Sequence, residues 1–183
     1  IGFNCQREPF NNPKLREAIA HAINREELVK YLYQGYSDPA NTILPSFIPG
    51  YKKDVQSYDY NPDTAKSMLN ELGLSNLNIH MITYSPSRQY NSVGGQKLAE
   101  AVQNYLSKVG ITSTIDVYQW TEYKEKVQQG EGDMFFYGWI GDNGDPDNFL
   151  SLLDSKEISS SLNSAKYSNS DVDSLLAKAK AMP

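Results

Sequence analysis

Apolar residues in this chain repeat with two different periods, and this is the feature that most restricts its fold. Leu77–Tyr84 and Ile111–Tyr118 place apolar side chains at alternate positions, which is the period of a β-strand. The segment between them has the three-to-four-residue spacing of a long amphipathic helix that ends at Gly110. Strands that alternate with helices predict an α/β fold with a mixed β-sheet flanked by helices.

Capping residues and apolar runs predict the remaining elements. Asn12-Pro13 and Asn61-Pro62 are typical helix starts, because asparagine accepts a backbone hydrogen bond and proline fits the first helical position. Asp133–Ile140 (DMFFYGWI) is almost wholly apolar, which predicts a strand buried on both faces. The other predicted elements are a strand over Ile1–Gln6 and helices over Glu26–Tyr33, Thr121–Gln129, Asp147–Leu153 and Asp171–Ala181. Ser155–Ser168 is predicted to be a loop.

The charge and cysteine content exclude several classes of function. The net charge is −5 without a basic run, so a nucleic-acid partner is not expected. Cys5 is the single cysteine, which excludes an intrachain disulfide and a cysteine-based zinc cluster. No stretch has the length and apolar character of a membrane span, and no secretion signal is present. We expect the chain to be an excised segment whose targeting signals lie outside it.

The densest functional-looking segment is the loop over residues 137–149, directly after the predicted strand Asp133–Ile140. In open α/β sheets, ligands bind just beyond the ends of strands. Three interpretations of this loop are open. Its acidic and amide side chains cap turns and the next helix, or Asp142, Asp145 and Asp147 bind calcium, or Asp142 is the counter-ion of a cationic ligand group.

Arg88 lies in a polar loop after the predicted strand Leu77–Tyr84, and two roles are open for it. An arginine there can hold a carboxylate through two parallel hydrogen bonds, or it can be a solvated surface charge. Catalytic sites have little support, because His21 and His80 share no motif with each other or with Cys5. The sequence therefore favours a binding protein and not an enzyme.

Four segments, in this order and at these intervals, carry a resemblance to a known family. They are Phe10–Tyr36, Leu44-Pro45-Ser46, Tyr58–Gly73 and Gly132–Trp139 (GDMFFYGW). The chain resembles the dipeptide- and oligopeptide-binding proteins of bacterial ABC importers, which are extracellular solute-binding proteins of family 5. The continuation over residues 141–149 (GDNGDPDNF) is most similar to the dipeptide-binding branch.

The resemblance implies a fold and a place within it. Such proteins have two lobes, of the type II periplasmic-binding-protein fold, that close around the ligand. Residues 1–183 would form the single C-terminal ligand-binding lobe, without the terminal segment that returns to the first lobe. The protein would be an extracytoplasmic monomer, periplasmic or a lipoprotein, that works with ABC permease subunits. It would touch the membrane only through that permease or through an anchor outside these residues.

The resemblance also implies a ligand and its contacts. Asp142 would pair with the amino terminus of a short peptide and Arg88 with its carboxylate, while the protein uses no cofactor or metal. The other residues expected to line the site are Tyr137, Gly138, Trp139, Gly141 and Asn143. Relatives bind nickel complexes, haem, sugars or signalling peptides, so a non-peptide solute or signalling peptide is the first alternative. The alternative from another class is a hydrolase or calcium-dependent module built on the acidic loop 142–148.

Overall fold

A four-stranded mixed sheet forms the centre of the computed structural model, which describes residues 1–181. The strand order is β1-β4-β2-β3. β2 is parallel to both of its neighbours, and β1 is antiparallel to β4. The strands are β1 (Gly2–Phe3), β2 (Asn78–Tyr84), β3 (Thr112–Tyr118) and β4 (Met134–Phe135). This mixed sheet with flanking helices confirms the predicted α/β class.

Seven α-helices surround the sheet over the described residues. They are α1 (Pro13–Ala22), α2 (Arg25–Leu32), α3 (Pro62–Glu71), α4 (Gly95–Lys108), α5 (Trp120–Gln129), α6 (Asp147–Leu150) and α7 (Ser170–Lys180). Two short 3₁₀ helices follow α6, at Ser151–Leu153 and Ser155–Ile158, the second within the predicted loop. No helix within residues 1–181 is long and apolar enough to cross a membrane.

Both predicted asparagine caps are present. The Asn12 side chain accepts a hydrogen bond from the Lys14 backbone N–H, and the Asn61 side chain accepts one from Thr64. In each helix a proline occupies the first turn, where its missing N–H costs no hydrogen bond. These local signals therefore mark the starts of α1 and α3 in the sequence.

β2 is buried over most of its length and leads into one of the site loops. Met81, Ile82 and Tyr84 are all at most 1% exposed, so both faces of the strand are covered. On one side the apolar face of α4, which includes the fully buried Val102 and Leu106, packs against the sheet. The carboxyl end of β2 is therefore a rigid base for the loop that follows it.

The predicted strand over Asp133–Ile140 is wrong in its length, because only Met134–Phe135 pairs with the sheet. The backbone N–H and C=O of Phe136 bond to the side-chain hydroxyl of Tyr123 and not to a neighbouring strand. Beyond it the chain turns to the surface, where Trp139 and Ile140 are 40% and 47% exposed. The apolar run thus begins as a strand and ends as an exposed segment.

The first predicted strand is also shorter than the apolar pattern suggested. Only Gly2–Phe3 of the expected Ile1–Gln6 pairs with β4. After it, the Asn4 N–H donates to the Asp133 carbonyl, and the Cys5 N–H donates to the Ala165 carbonyl outside the sheet. The chain therefore leaves the sheet at Cys5.

Candidate ligand-binding site

The carboxyl ends of three parallel strands lie along one edge of the sheet and bring together loops that are far apart in the sequence. β3, β2 and β4 are adjacent and parallel. Arg88 follows β2, Trp120 follows β3, and Tyr137 follows β4. This edge is where open α/β sheets present their binding residues.

The side chain of Arg88 lies over the ring of Trp120. The guanidinium carbon is 4.0 Å from the ring centroid, which is the geometry of a cation–π contact. The Nε atom is buried and has no hydrogen-bond acceptor among residues 1–181. Reciprocal backbone hydrogen bonds between Arg88 and Asn91, of 3.0 and 2.8 Å, shape the loop. Arg88 is thus half-buried with a free donor, which favours an anion-binding role over that of a solvated charge.

Tyr137 packs beside the same tryptophan, with ring centroids 5.6 Å apart. Burial raises the pKa of the Tyr137 phenol, while the nearby Arg88 guanidinium opposes that rise. The phenol therefore stays neutral and keeps its O–H donor. We refer to Arg88, Tyr90, Trp120 and Tyr137 as the arginine–aromatic cluster.

Tyr90 connects the β2 loop to the segment after β4. Its ring lies directly on Gly138, so that a Cβ at that position would overlap the ring. The neighbouring Asn91 is buried, donates to the Tyr84 hydroxyl (3.0 Å) and accepts from the Tyr33 hydroxyl (2.9 Å). Gly138 is therefore needed for the close approach of two loops, whatever its role toward a ligand.

The acidic loop presents Asp142 to solvent. Its backbone N–H donates to the Asn148 side-chain oxygen at 3.2 Å, and the Trp139 indole N–H donates to the same oxygen at 2.9 Å. Within residues 1–181, no side chain donates a hydrogen bond to the Asp142 carboxylate or forms an ion pair with it. Residues 138–141 connect Tyr137 of the arginine–aromatic cluster to Asp142 along the chain.

The other acidic residues of the loop have partners inside the protein. The Asp145 carboxylate accepts a hydrogen bond from the Asp147 N–H (2.8 Å), and the Asn143 side chain accepts one from Asp145 (3.0 Å). Asp147 in turn pairs with Lys180 at 3.1 Å. The described residues contain no group of three or more His, Cys, Asp or Glu side chains placed to hold a metal ion. The turn-capping interpretation therefore describes Asp145, and the calcium interpretation has no ligand set within these residues.

An apolar cavity of about 500 Å³ opens beside the loop. Trp139, Gly138 and Tyr137 line one side of it, as expected of an apolar wall. The buried Phe149 lies on another side, and a Cβ at Gly141 would come within 2.8 Å of its ring. Gly141 thus lets the acidic loop pack onto α6.

The amino-acid sequence matches that of bacterial extracellular solute-binding proteins, family 5 (middle), over residues 1–161. The chain belongs to this family. The match contains the GDMFFYGW segment, and it agrees with the fold class and the extracytoplasmic setting that the resemblance implied.

Family 5 relatives are similar over nearly the whole chain. The Heme-binding protein A of Haemophilus influenzae is 36% identical over 98% of this chain and 33% of its own length. The Dipeptide-binding protein of Escherichia coli is 37% identical over 84% of this chain and 29% of its own length. The chain thus spans about one third of the relatives it matches.

Solved structures support the same assignment. A dipeptide binding protein from Pseudoalteromonas sp. SM9913, in complex with Met-Leu, superposes with a TM-score of 0.92. It is 33% identical in sequence, and the match covers 97% of this chain and 35% of that one. The family 5 fold is therefore shared over almost all described residues.

Sequence reasoning missed three residues of the candidate site, namely Trp120, Tyr90 and Asn148. Trp120 begins α5 directly after β3, so the rule that ligands bind beyond strand ends had the information to find it. Tyr90 lies within the loop that was already singled out for Arg88. The sequence offers Asn148 the turn-capping interpretation and a place in the segment 141–149 that resembles the dipeptide-binding branch, whereas its hydrogen bonds depend on the folded loop.

Replacing Tyr123 by phenylalanine is expected to lower the free energy of unfolding by about 2 kcal/mol, because it leaves two buried backbone groups without a partner. The Tyr123 hydroxyl donates to the Phe136 carbonyl (2.7 Å) and accepts from the Phe136 N–H (2.9 Å). Urea unfolding measures the change. Tyr36→Phe is the control, since the Tyr36 side chain is 90% exposed and its hydroxyl is free to bond to water. Equal stability of the two variants would contradict this account.

Proposed function

We propose that this chain is the ligand-binding C-terminal lobe of a two-lobe solute-binding protein, without the terminal return segment. The protein binds short peptides, mainly di- and tripeptides, and delivers them to the permease of an ABC importer. The observation that carries the proposal is the half-buried Arg88, which is stacked on Trp120 and has a buried donor without an acceptor among residues 1–181. The relatives named for dipeptide binding support the ligand class.

In the proposed complex the two charges hold the two ends of a zwitterionic peptide. Arg88 donates paired hydrogen bonds to the peptide carboxylate, a geometry that lysine cannot reproduce. The Asp142 carboxylate accepts from the peptide ammonium group. Each charge has to be fully paired to offset its loss of hydration when the lobes close, so a ligand that lacks either end binds weakly. The separation of the two charges then selects ligand length.

The remaining predicted residues form the wall between these ends. Trp139 and Tyr137 supply apolar surface. The rings of Tyr90 and Phe149 occupy the space beside the Cα atoms of Gly138 and Gly141, so these two glycines contribute through their backbone N–H and C=O groups. Asn143 lies exposed next to Asp142, where its side-chain NH₂ group is available for a polar contact. Binding involves hinge closure and no chemical step, so the protein is not an enzyme. It is a monomer outside the cytoplasm, held at the membrane only by the permease or by an anchor outside these residues.

Haem is the second candidate ligand. A relative that is 36% identical is named Heme-binding protein A, and the apolar cavity of about 500 Å³ beside Trp139 offers surface to a flat apolar group. Haem carries carboxylates, which Arg88 can also bind, but it has no ammonium group for Asp142. The two candidates therefore differ in whether binding needs Asp142.

Calorimetric titration of the ligand-stripped two-lobe protein tests the proposal. The panel is a dipeptide, a pentapeptide, an N-acetylated dipeptide, a C-amidated dipeptide and haemin. We expect tight binding of the free dipeptide and binding at least tenfold weaker for either blocked form, since each block removes one charge pair. Equal affinity for free and blocked peptides would overturn the two-ended contact. Tight binding of haemin alone would move the assignment to haem.

A further inference from the structure

The side-chain oxygen of Asn148 accepts two hydrogen bonds from two different predicted ligand contacts. The Trp139 indole N–H lies 2.9 Å away, and the Asp142 backbone N–H lies 3.2 Å away. Trp139 and Asp142 come from opposite ends of a turn and have no other shared partner among the bonds of the described residues. The Asn148 side chain therefore connects Trp139, in the apolar wall, to the backbone of Asp142.

The chemistry of the two donors determines which Asn148 atom faces them. An indole nitrogen and a backbone amide are donors only, so the amide oxygen, and not the NH₂ group, has to point between them. An aspartate at this position offers acceptor oxygens in the same place. An alanine offers none and leaves both N–H groups to water.

Asn148 is itself held by a well-anchored support. Its backbone N–H donates to the Asp145 carbonyl at 3.2 Å. The next residue, Phe149, is buried. The preceding residue, Asp147, accepts a hydrogen bond from the Ser151 hydroxyl (3.2 Å) and pairs with Lys180 of α7. These contacts fix the backbone from which the Asn148 side chain projects, which is what a group that orients others requires.

We propose that Asn148 is a positioning residue that orients Asp142 toward the peptide ammonium group and holds Trp139 against the peptide. The inference rests on the proposed function, since it assigns Asn148 to the amino-terminal half of the same site. Asn148 acts through its two donors and does not itself contact the ligand.

The test compares Asn148→Ala and Asn148→Asp in the two-lobe protein, by calorimetry with a free dipeptide and its N-acetylated form. We expect Asn148→Ala to weaken binding of the free dipeptide about tenfold, and that of the acetylated form far less. Asn148→Asp is expected to retain most of the affinity, because it keeps the acceptor. In an Asp142→Asn background, Asn148→Ala should cost little further affinity, since the two changes act on one contact.

A loop variant and a ligand-free measurement separate positioning from general damage. Asp145→Ala removes a similar turn hydrogen bond in the same loop but touches neither donor, so it should leave the ratio of free to acetylated affinity unchanged. In the ligand-free protein, Asn148→Ala should move the NMR resonance of the Trp139 indole N–H and speed exchange of the Asp142 amide.

A failure of the role of Asn148 can be told apart from a failure of the proposed function. If the wild-type protein discriminates free from acetylated dipeptide and Asn148→Ala keeps that discrimination, only the role of Asn148 is overturned. If Asp145→Ala loses the discrimination as strongly as Asn148→Ala, the role of Asn148 is overturned as well, because the effect then belongs to the loop as a whole. If the wild-type protein binds both ligands equally, the proposed function fails together with this inference.

Discussion

Replacing Arg88 by glutamine is expected to weaken binding of a free dipeptide about a hundredfold, because it removes one partner of an enclosed charge pair. In the proposed complex the peptide carboxylate would then be buried without a counter-ion. Glutamine also loses the cation–π contact that holds the side chain over Trp120 at 4.0 Å. The affinity of Arg88→Lys should lie between those of the unchanged protein and of Arg88→Gln, since lysine keeps the charge but loses the paired donors. Isothermal calorimetry on the two-lobe protein measures all three affinities.

A neighbouring cation supplies the matched control for Arg88. Lys124 lies 6.0 Å from the centroid of the same Trp120 ring, but it is exposed. Lys124→Gln should change affinity only slightly, because exposed charges are screened. With a C-amidated dipeptide, Arg88→Gln should have little effect. If the amidated ligand lost as much affinity as the free one, Arg88 would not be the carboxylate contact.

Replacing Asp133 by alanine is expected to lower the free energy of unfolding by about 3 kcal/mol, since it removes charged hydrogen bonds at the centre of the sheet. One carboxylate oxygen accepts from the His80 N–H at 2.8 Å, and the other accepts from Arg7 Nε at 2.9 Å. The Asp133 side chain is only 12% exposed, so the His80 N–H would lose its partner in a shielded place. Chemical denaturation measures the change.

Arg7→Ala separates the two contacts of Asp133. The Arg7 side chain is 47% exposed, so its ion pair with Asp133 is largely screened. We expect this variant to lower the unfolding free energy by less than about 1 kcal/mol. If Arg7→Ala destabilised the protein as much as Asp133→Ala, the ion pair and not the backbone contact would carry the effect.

Local signals predicted the elements whose form depends only on neighbouring residues. The asparagine–proline pairs at Asn12 and Asn61 cap their own helices. The alternation that predicted β2 is present in the burial of its first residues, where Ile79 and Met81 are buried and Asn78 and His80 are not. The run over Asp133–Ile140 failed for a non-local reason. The strand ends before Phe136, because the hydroxyl of Tyr123, on α5, forms hydrogen bonds with both backbone groups of Phe136. The sequence around residues 133–140 does not show that this partner will be there.

In the candidate site, too, the sequence predicts residues that stand out locally and misses those whose role depends on distant partners. Asp142 and Arg88 are predicted site residues because a charge in a loop after a strand is visible in the sequence, and the resemblance implies a role for each of them. Trp120, on which Arg88 stacks, was missed because the two are adjacent only once β2 and β3 pair in parallel. Asn148 was missed because its two donors meet only in the folded turn.

Because Trp120 contacts Arg88 and Trp139 contacts Asn148, the fluorescence of the tryptophans can report on peptide binding. These are the only two tryptophans in the chain, and in the proposed complex one lies at the carboxylate end and the other at the ammonium end. The emission of an indole responds to nearby charge and to the loss of water. In the two-lobe protein, the part of the emission change that is lost in Trp120→Phe reports the carboxylate end, and the part that is lost in Trp139→Phe reports the ammonium end. Rapid mixing of these variants can therefore time the capture of each peptide terminus and show which end arrives first.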